Sequence, residues 1–207
     1  MIVEPEGPED AKIVVIADAP GADEDKIGRP FVGAAGAMLF NEFLGRAGIK
    51  RRECLVMYVY WEKPPYGNEF ETIPDPTYYY EDNWEWINRH PRIVILAVGE
   101  HALQFVSQFT FTGITKYRGS VLRTEGVPCA YVSMIHPKEV FKNYSWKILC
   151  RMDAKRAKLV LDQPGISDLK RKIITLSSES GKFQGSKLDA FTSLMEHIED
   201  YQNAHAL

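Results

Sequence analysis

Four nearly unbroken apolar runs frame the chain. Lys12–Ala17 (KIVVIA), Cys54–Trp61 (CLVMYVYW), Arg92–Val98 (RIVILAV) and Cys129–Ile135 lack the alternation of a half-exposed strand, so they predict strands buried on both faces. Val121–Arg123 predicts a further short strand. Between these runs the apolar positions fall at helical spacing. In Ala35–Ala47, Met38, Leu39, Phe43 and Leu44 share a side and Gly48 follows as a stop. Glu81–Arg89 carries Trp84 and Ile87 on one side, a helix is expected from Gly99 through Phe105, and Lys147–Leu161 closes the series. Pro64–Pro76 reads as a loop. Strands separated by helices predict an α/β domain of three layers around a central, mostly parallel sheet.

The pattern changes near Gln163–Gly165, which places a boundary between a main domain at 1–163 and an extension at 164–207. The extension holds a strand-like KIITL, a Ser/Gly-rich turn and a helical appendage. In that appendage Leu188, Phe191, Leu194, Met195, Ile198 and Tyr201 share a face, with Ser186 as its cap. No repeat or low-complexity tract is present.

Composition narrows the classes. The 207 residues are 45% hydrophobic and 26% charged, enough for one buried core. The formal net charge is −3, so any contact with nucleic acid must be a local basic patch. No apolar run approaches the roughly 18 residues of a membrane span, and acidic residues rather than a signal peptide follow Met1. The expectation is a cytoplasmic protein with no membrane partner. Cys54, Cys129 and Cys150 are three in number, far apart and without a CxxC pair, which predicts reduced thiols and neither a disulfide framework nor a metal knuckle.

The chemistry gathers at the strand ends. After the first strand comes ADAPGADEDKIGRPFVGAAG, a stretch both glycine-rich and acidic. A dinucleotide cradle fits it badly, because GxGxxG is absent and the carboxylates would repel a pyrophosphate. In an open parallel sheet ligands bind beyond the carboxyl ends of the strands. Asp18, Gly21, Glu24 and Phe31 lie there, with Tyr58 and Tyr60 after the second strand and His136–Pro137 after Cys129–Ile135. An aromatic to stack, a carboxylate to orient water or face a cation, and a histidine to donate to a developing oxyanion suit a planar polar ring. Each residue also has a plainer reading: Asp18 as a turn residue, Phe31 as core, and His136 as the shaper of an X-Pro loop.

The stretch DAPGADEDKIGRPFVGAAG resembles the first motif of the uracil-DNA glycosylase superfamily, closest to its family 4. The similarity continues in order through KPPYGN, PRIVILAVGEHAL, ITKYRG and IHP, over roughly residues 10 to 161. The resemblance implies a uracil-DNA glycosylase-like fold that takes a uracil flipped out of DNA. By position it implies Asp18 as the motif-one carboxylate and His136 as the donor to the departing base. Ala19 and Gly21 become the tight wall by the base, and Phe31 its stacking partner. The loop after Pro137 corresponds to the segment that wedges into the duplex. Val140 and Phe141 are its candidate wedges, and Lys138, Lys142, Lys116 and Arg118 the candidate phosphate contacts.

The chain departs from family 4 in three ways. Four cysteines hold an iron–sulfur cluster in that family. Three at other places do not, so no cofactor is expected. The corresponding region here, PDPTYYYEDNWEW, is expected to fill that volume with Tyr78, Tyr79, Tyr80, Trp84 and Trp86. Tyr58 stands where the family has an asparagine that reads the uracil edge, and one phenol cannot repeat the two-point contact of an amide. Either the pocket takes a different base or Tyr58 fills it. Finally, Asp18 replaces a glutamate and withdraws the carboxylate by about 1.5 Å, one bond length, where a misplacement of about 1 Å can cost about 10²-fold.

These departures predict a DNA-binding member of the superfamily with weak or lost uracil excision, acting in replication or repair. The alternative is an active glycosylase for uracil or a modified pyrimidine. By family analogy the non-catalytic reading extends to the glycosylase-like front domain of a viral DNA polymerase. The polymerase would then be a partner in cis or trans, and the cell a bacterium or an infected host. A nucleotide-binding α/β protein is a more distant third.

Overall fold

The computed structural model describes residues 1–64, 79–108 and 113–164. The expected extension beyond 164, Tyr78 and most of the Pro64–Pro76 loop lie outside these described residues.

Among the described residues, five strands form one sheet in the order β2-β1-β3-β5-β4: β1 (Ile13–Ala17), β2 (Cys54–Tyr58), β3 (Val94–Val98), β4 (Val121–Leu122) and β5 (Ala130–Met134). The first four strands in that order run parallel, and β4 is an antiparallel edge. Every residue of the four parallel strands is buried. Alternate side chains go to opposite faces. Ile13, Val15 and Ala17 join one apolar cluster with Val56, Tyr58, Leu96 and Val132, while Val14 and Ile16 join the other with Leu55, Met57 and Ile95.

Helices cover both faces. On the first lies a continuous helical stretch that begins as α2 (Ala34–Ala37), widens to a π-helical segment at Met38–Leu44 and tightens to a 3₁₀ turn at Gly45–Ala47. It packs beside α6 (Trp146–Asp162). On the second face lie α3 (Tyr80–Asn88) and α4 (Glu100–Ser107). Each large apolar side chain buried in these layers contributes about 1.5–3 kcal/mol.

Two short helices were not among the expected elements. The acidic run forms α1 (Ala22–Ile27), closed by Gly28 in the left-handed conformation, and the segment after His136 forms α5 (Pro137–Lys142). Sequence pattern predicts a loop at both, since neither has a full apolar stripe.

Register positions the site. Ala17 lies opposite both Tyr58 and Val98, and Val98 opposite Met134. The carboxyl ends of β2, β1, β3 and β5 are therefore level, and the residues that follow them share one edge. The outer edge of β2 is covered by the N-terminal segment, where Glu6 and Val56 exchange backbone hydrogen bonds of 2.9 and 2.8 Å.

Candidate active site

The loop after β1 is braced by a buried carboxylate. Glu24 accepts from the Gly21 N–H at 3.0 Å and from the Gly33 N–H at 2.8 Å, tying the start of α1 to the start of α2. This ties back the intervening chain as an arch that includes Phe31. Phe31 adopts φ +52, unusual for a bulky residue. Gly36 allows this arch, since a Cβ there would lie 2.2 Å from the Phe31 carbonyl oxygen. Glu24 holds the pocket's shape, a role that its place in the loop alone does not assign. Its position three residues after the helix-opening Gly21 was the available signal.

Asp18, Ala19, Gly21, Phe31, Tyr58 and His136 line one pocket of about 160 Å³, together with Glu24 and Lys138. That volume is below the usual range for drug-sized ligands and suits a single ring. Asp18 and His136 also line an adjoining, wider pocket of about 460 Å³ with His101, Ile114 and Trp146. The two residues thus stand where the pockets meet.

Asp18 is buried, and its Oδ1 accepts from the Ala102 N–H at 3.0 Å in the first turn of α4. Oδ2 lies 3.8 Å from His101 Nδ1. Gly99, at φ +108, leaves room for this, because a Cβ there would come within 2.5 Å of both carboxylate oxygens. One carboxylate oxygen is thereby held by a backbone amide, and the other faces the His101 ring.

His136 caps α5. Its Nδ1 accepts from the Lys138 N–H at 3.2 Å, so the proton of the neutral ring belongs on Nε2. Desolvation pushes its pKa down to about 4, against the opposing pull of Asp18. At neutral pH the ring is an uncharged donor through Nε2.

Tyr58 is a wall of the pocket. Its ring stacks on Phe31 with centroids 5.0 Å apart at 23°, and its phenol oxygen accepts from the Phe31 N–H at 3.0 Å. Burial lifts the phenol pKa well above its ordinary value. The Phe31 ring, expected to stack on a base, stacks on Tyr58.

The expected DNA-facing residues divide. Phe141 is 57% exposed at the end of α5, and Lys116 is exposed on a 3₁₀ turn beside the wider pocket. Lys138 lines both pockets, and Lys142 is exposed and paired with Glu139 at 2.9 Å. Two expectations are corrected. Val140 is 2% exposed and packs in the core, because the helical turn of α5 points it inward. Arg118 is turned inward, with its guanidinium paired bidentately to the buried Asp153 and donating to the Leu149 carbonyl at 3.2 Å.

The thiols do not suit a cluster. Cys54 opens β2, Cys129 precedes β5 and Cys150 lies within α6, each buried apart. Burial pushes their pKa values to about 12, 11 and 12 respectively, so each is a protonated thiol at neutral pH. Aromatic contacts occupy the region around α3. Trp84 stacks on Phe105 at 5.0 Å, Tyr80 meets both edge-on, and Tyr79 stacks on Trp61 at 5.2 Å. Trp86 instead lies under the Arg89 guanidinium at 4.0 Å.

The level strand edge thus brings together a carboxylate, a ring-sized aromatic pocket and a neutral histidine donor. Residues 4–160 match the uracil DNA glycosylase superfamily, and the chain belongs to that superfamily. It is 32% identical over 169 residues to a type-4 uracil-DNA glycosylase of Thermotoga maritima, covering 79% of this chain and 85% of that protein. It is 34% identical over 143 residues to the type-4 uracil-DNA glycosylase of Archaeoglobus fulgidus, covering 65% and 69%.

Proposed function

We propose that the protein is a DNA glycosylase that hydrolyses the N-glycosidic bond of uracil, or of a uracil substituted at the 5-position, in DNA. The observation that carries this reading is the placement of Asp18, Phe31 and His136 around one ring-sized pocket. The type-4 uracil-DNA glycosylases similar to it support the same reading.

The base enters the smaller pocket against the Phe31–Tyr58 wall. As the bond from the sugar C1′ to the base nitrogen breaks, its electron pair leaves with the base and the sugar becomes cationic. His136 donates through Nε2–H to the base oxygen that gains charge. An uncharged donor suits this role, since it stabilises the anion without having to carry a proton away. Asp18 Oδ2, the oxygen not bonded to the Ala102 amide, orients a water molecule towards C1′ and takes up its proton as the new C–O bond forms. Tyr58 offers the base edge one hydroxyl, so discrimination between bases is expected to be looser than with a two-point amide.

Release of base from single- and double-stranded oligonucleotides containing uracil, 5-substituted uracils or cytosine tests the proposal. Release from the uracil set and not from cytosine is the expected result. DNA binding with no release from any substrate would favour the second reading, a DNA-binding member that has lost excision and serves a polymerase in cis or trans. That reading draws on the shorter Asp18 and on Tyr58 narrowing the pocket.

A further inference from the structure

Phe31 is held in a conformation that bulky residues adopt only where their surroundings over-determine it. Three side chains do so. Tyr58 takes the Phe31 N–H at 3.0 Å from the pocket side. Arg51, in the 3₁₀ turn before β2, donates to the Phe31 carbonyl at 3.1 Å and to the Pro30 carbonyl beside it. Its guanidinium also lies 4.8 Å over the ring of Phe40, which meets Phe31 edge-on at 5.9 Å. Behind Arg51 stands Glu6, 3.2 Å from Nη2, on the segment that covers the β2 edge. Glu6 is held in turn by Arg29 through bonds of 2.8 and 3.0 Å.

Arg51 does not line the base pocket. Nothing in the proposed chemistry uses its charge. Its planar fork instead serves two adjacent carbonyls and a carboxylate at once, which a point-like ammonium cannot do. We propose that Arg51 is a positioning residue for base recognition: it fixes the Phe31 backbone from behind, so that the Phe31–Tyr58 wall is preset before a base arrives. This rests on the glycosylase reading for its catalytic consequence and on the geometry alone for the clamp.

Two measurements test it together. Amide exchange at the Phe31 N–H reports the clamp whether or not the protein excises bases. Arg51→Met should speed that exchange by tenfold or more, while Arg29→Met leaves it within about twofold. In the excision assay Arg51→Met should raise KM by about tenfold with kcat changed less. Arg51→Lys, which retains the charge near Glu6, should fail to restore KM and serves if the methionine variant folds poorly. In a Phe31→Ala background Arg51→Met should add less than about twofold, because the wall it positions is already gone. Unchanged exchange in folded Arg51→Met and Arg51→Lys overturns the clamp. Equal losses in both backgrounds overturn the positioning role. Absence of excision by the wild-type protein counts against the glycosylase reading and leaves the exchange result to decide the clamp.

Discussion

His136 shows how a backbone contact can set the chemistry of a side chain. The Lys138 N–H occupies Nδ1, so the neutral ring presents its proton at Nε2. Its pKa, pushed down to about 4 from an ordinary value near 6.5, also links it to stability. Above pH 6.5 the ring is neutral in both folded and unfolded chains and contributes no pH dependence. As pH falls from 6.5 to 4 the unfolded chain binds a proton that the folded one refuses, so stability drops. Melting temperatures across that window should fall more steeply for the wild type than for His136→Gln, and parallel curves would refute the desolvated ring. Tyr58 makes a second case. Its phenol caps a buried N–H, so Tyr58→Phe should cost about 1–3 kcal/mol by leaving that donor unpaired. A denaturation midpoint equal to that of the wild type would contradict this.

At the scale of elements, the four parallel strands were legible because burial on both faces writes an unbroken apolar run. Sequence placed their boundaries within two residues, apart from the carboxyl end of β2. It also grouped Asp18, Phe31, Tyr58 and His136, since each follows or ends a strand whose partner register makes the ends level. Helix α1 was hidden because its six residues are stabilised by Glu24 reaching back to the Gly21 amide and forward to that of Gly33, and not by an apolar stripe. The inward turns of Val140 and Arg118 were equally hidden. They depend on α6 packing against α5 and offering Asp153, neither of which is a local property. The Arg118–Asp153 pair is internal, so Arg118→Met should strand a buried carboxylate and destabilise the fold by about 3–5 kcal/mol. Calorimetric or chemical denaturation would check it, and a shift below 1 kcal/mol would mean that the pair is dispensable.

For the whole molecule, a net charge of −3 requires any DNA contact to be local. Lys116, Lys138, Lys142 and the exposed Phe141 are the residues we propose for it. Affinity should weaken with salt by a slope of about −0.9 per phosphate neutralised on duplex DNA and about −0.7 on single strands. Lys138→Ala should shallow the slope by about one contact, whereas Arg118→Met should leave it unchanged. Titrations at several salt concentrations give both numbers, and a reversed order would return Arg118 to the DNA-binding face.

Whether the pocket performs chemistry is measured most directly by single-turnover release of uracil from a single-stranded oligonucleotide, with protein in excess. The wild type is predicted to release the base. His136→Ala and Asp18→Asn are each predicted to slow release by about 10²-fold or more, the scale of losing one charge-stabilising group, while still binding the oligonucleotide. No release by the wild type, or release by both variants at its rate, would contradict the assignment of Asp18 and His136 to catalysis.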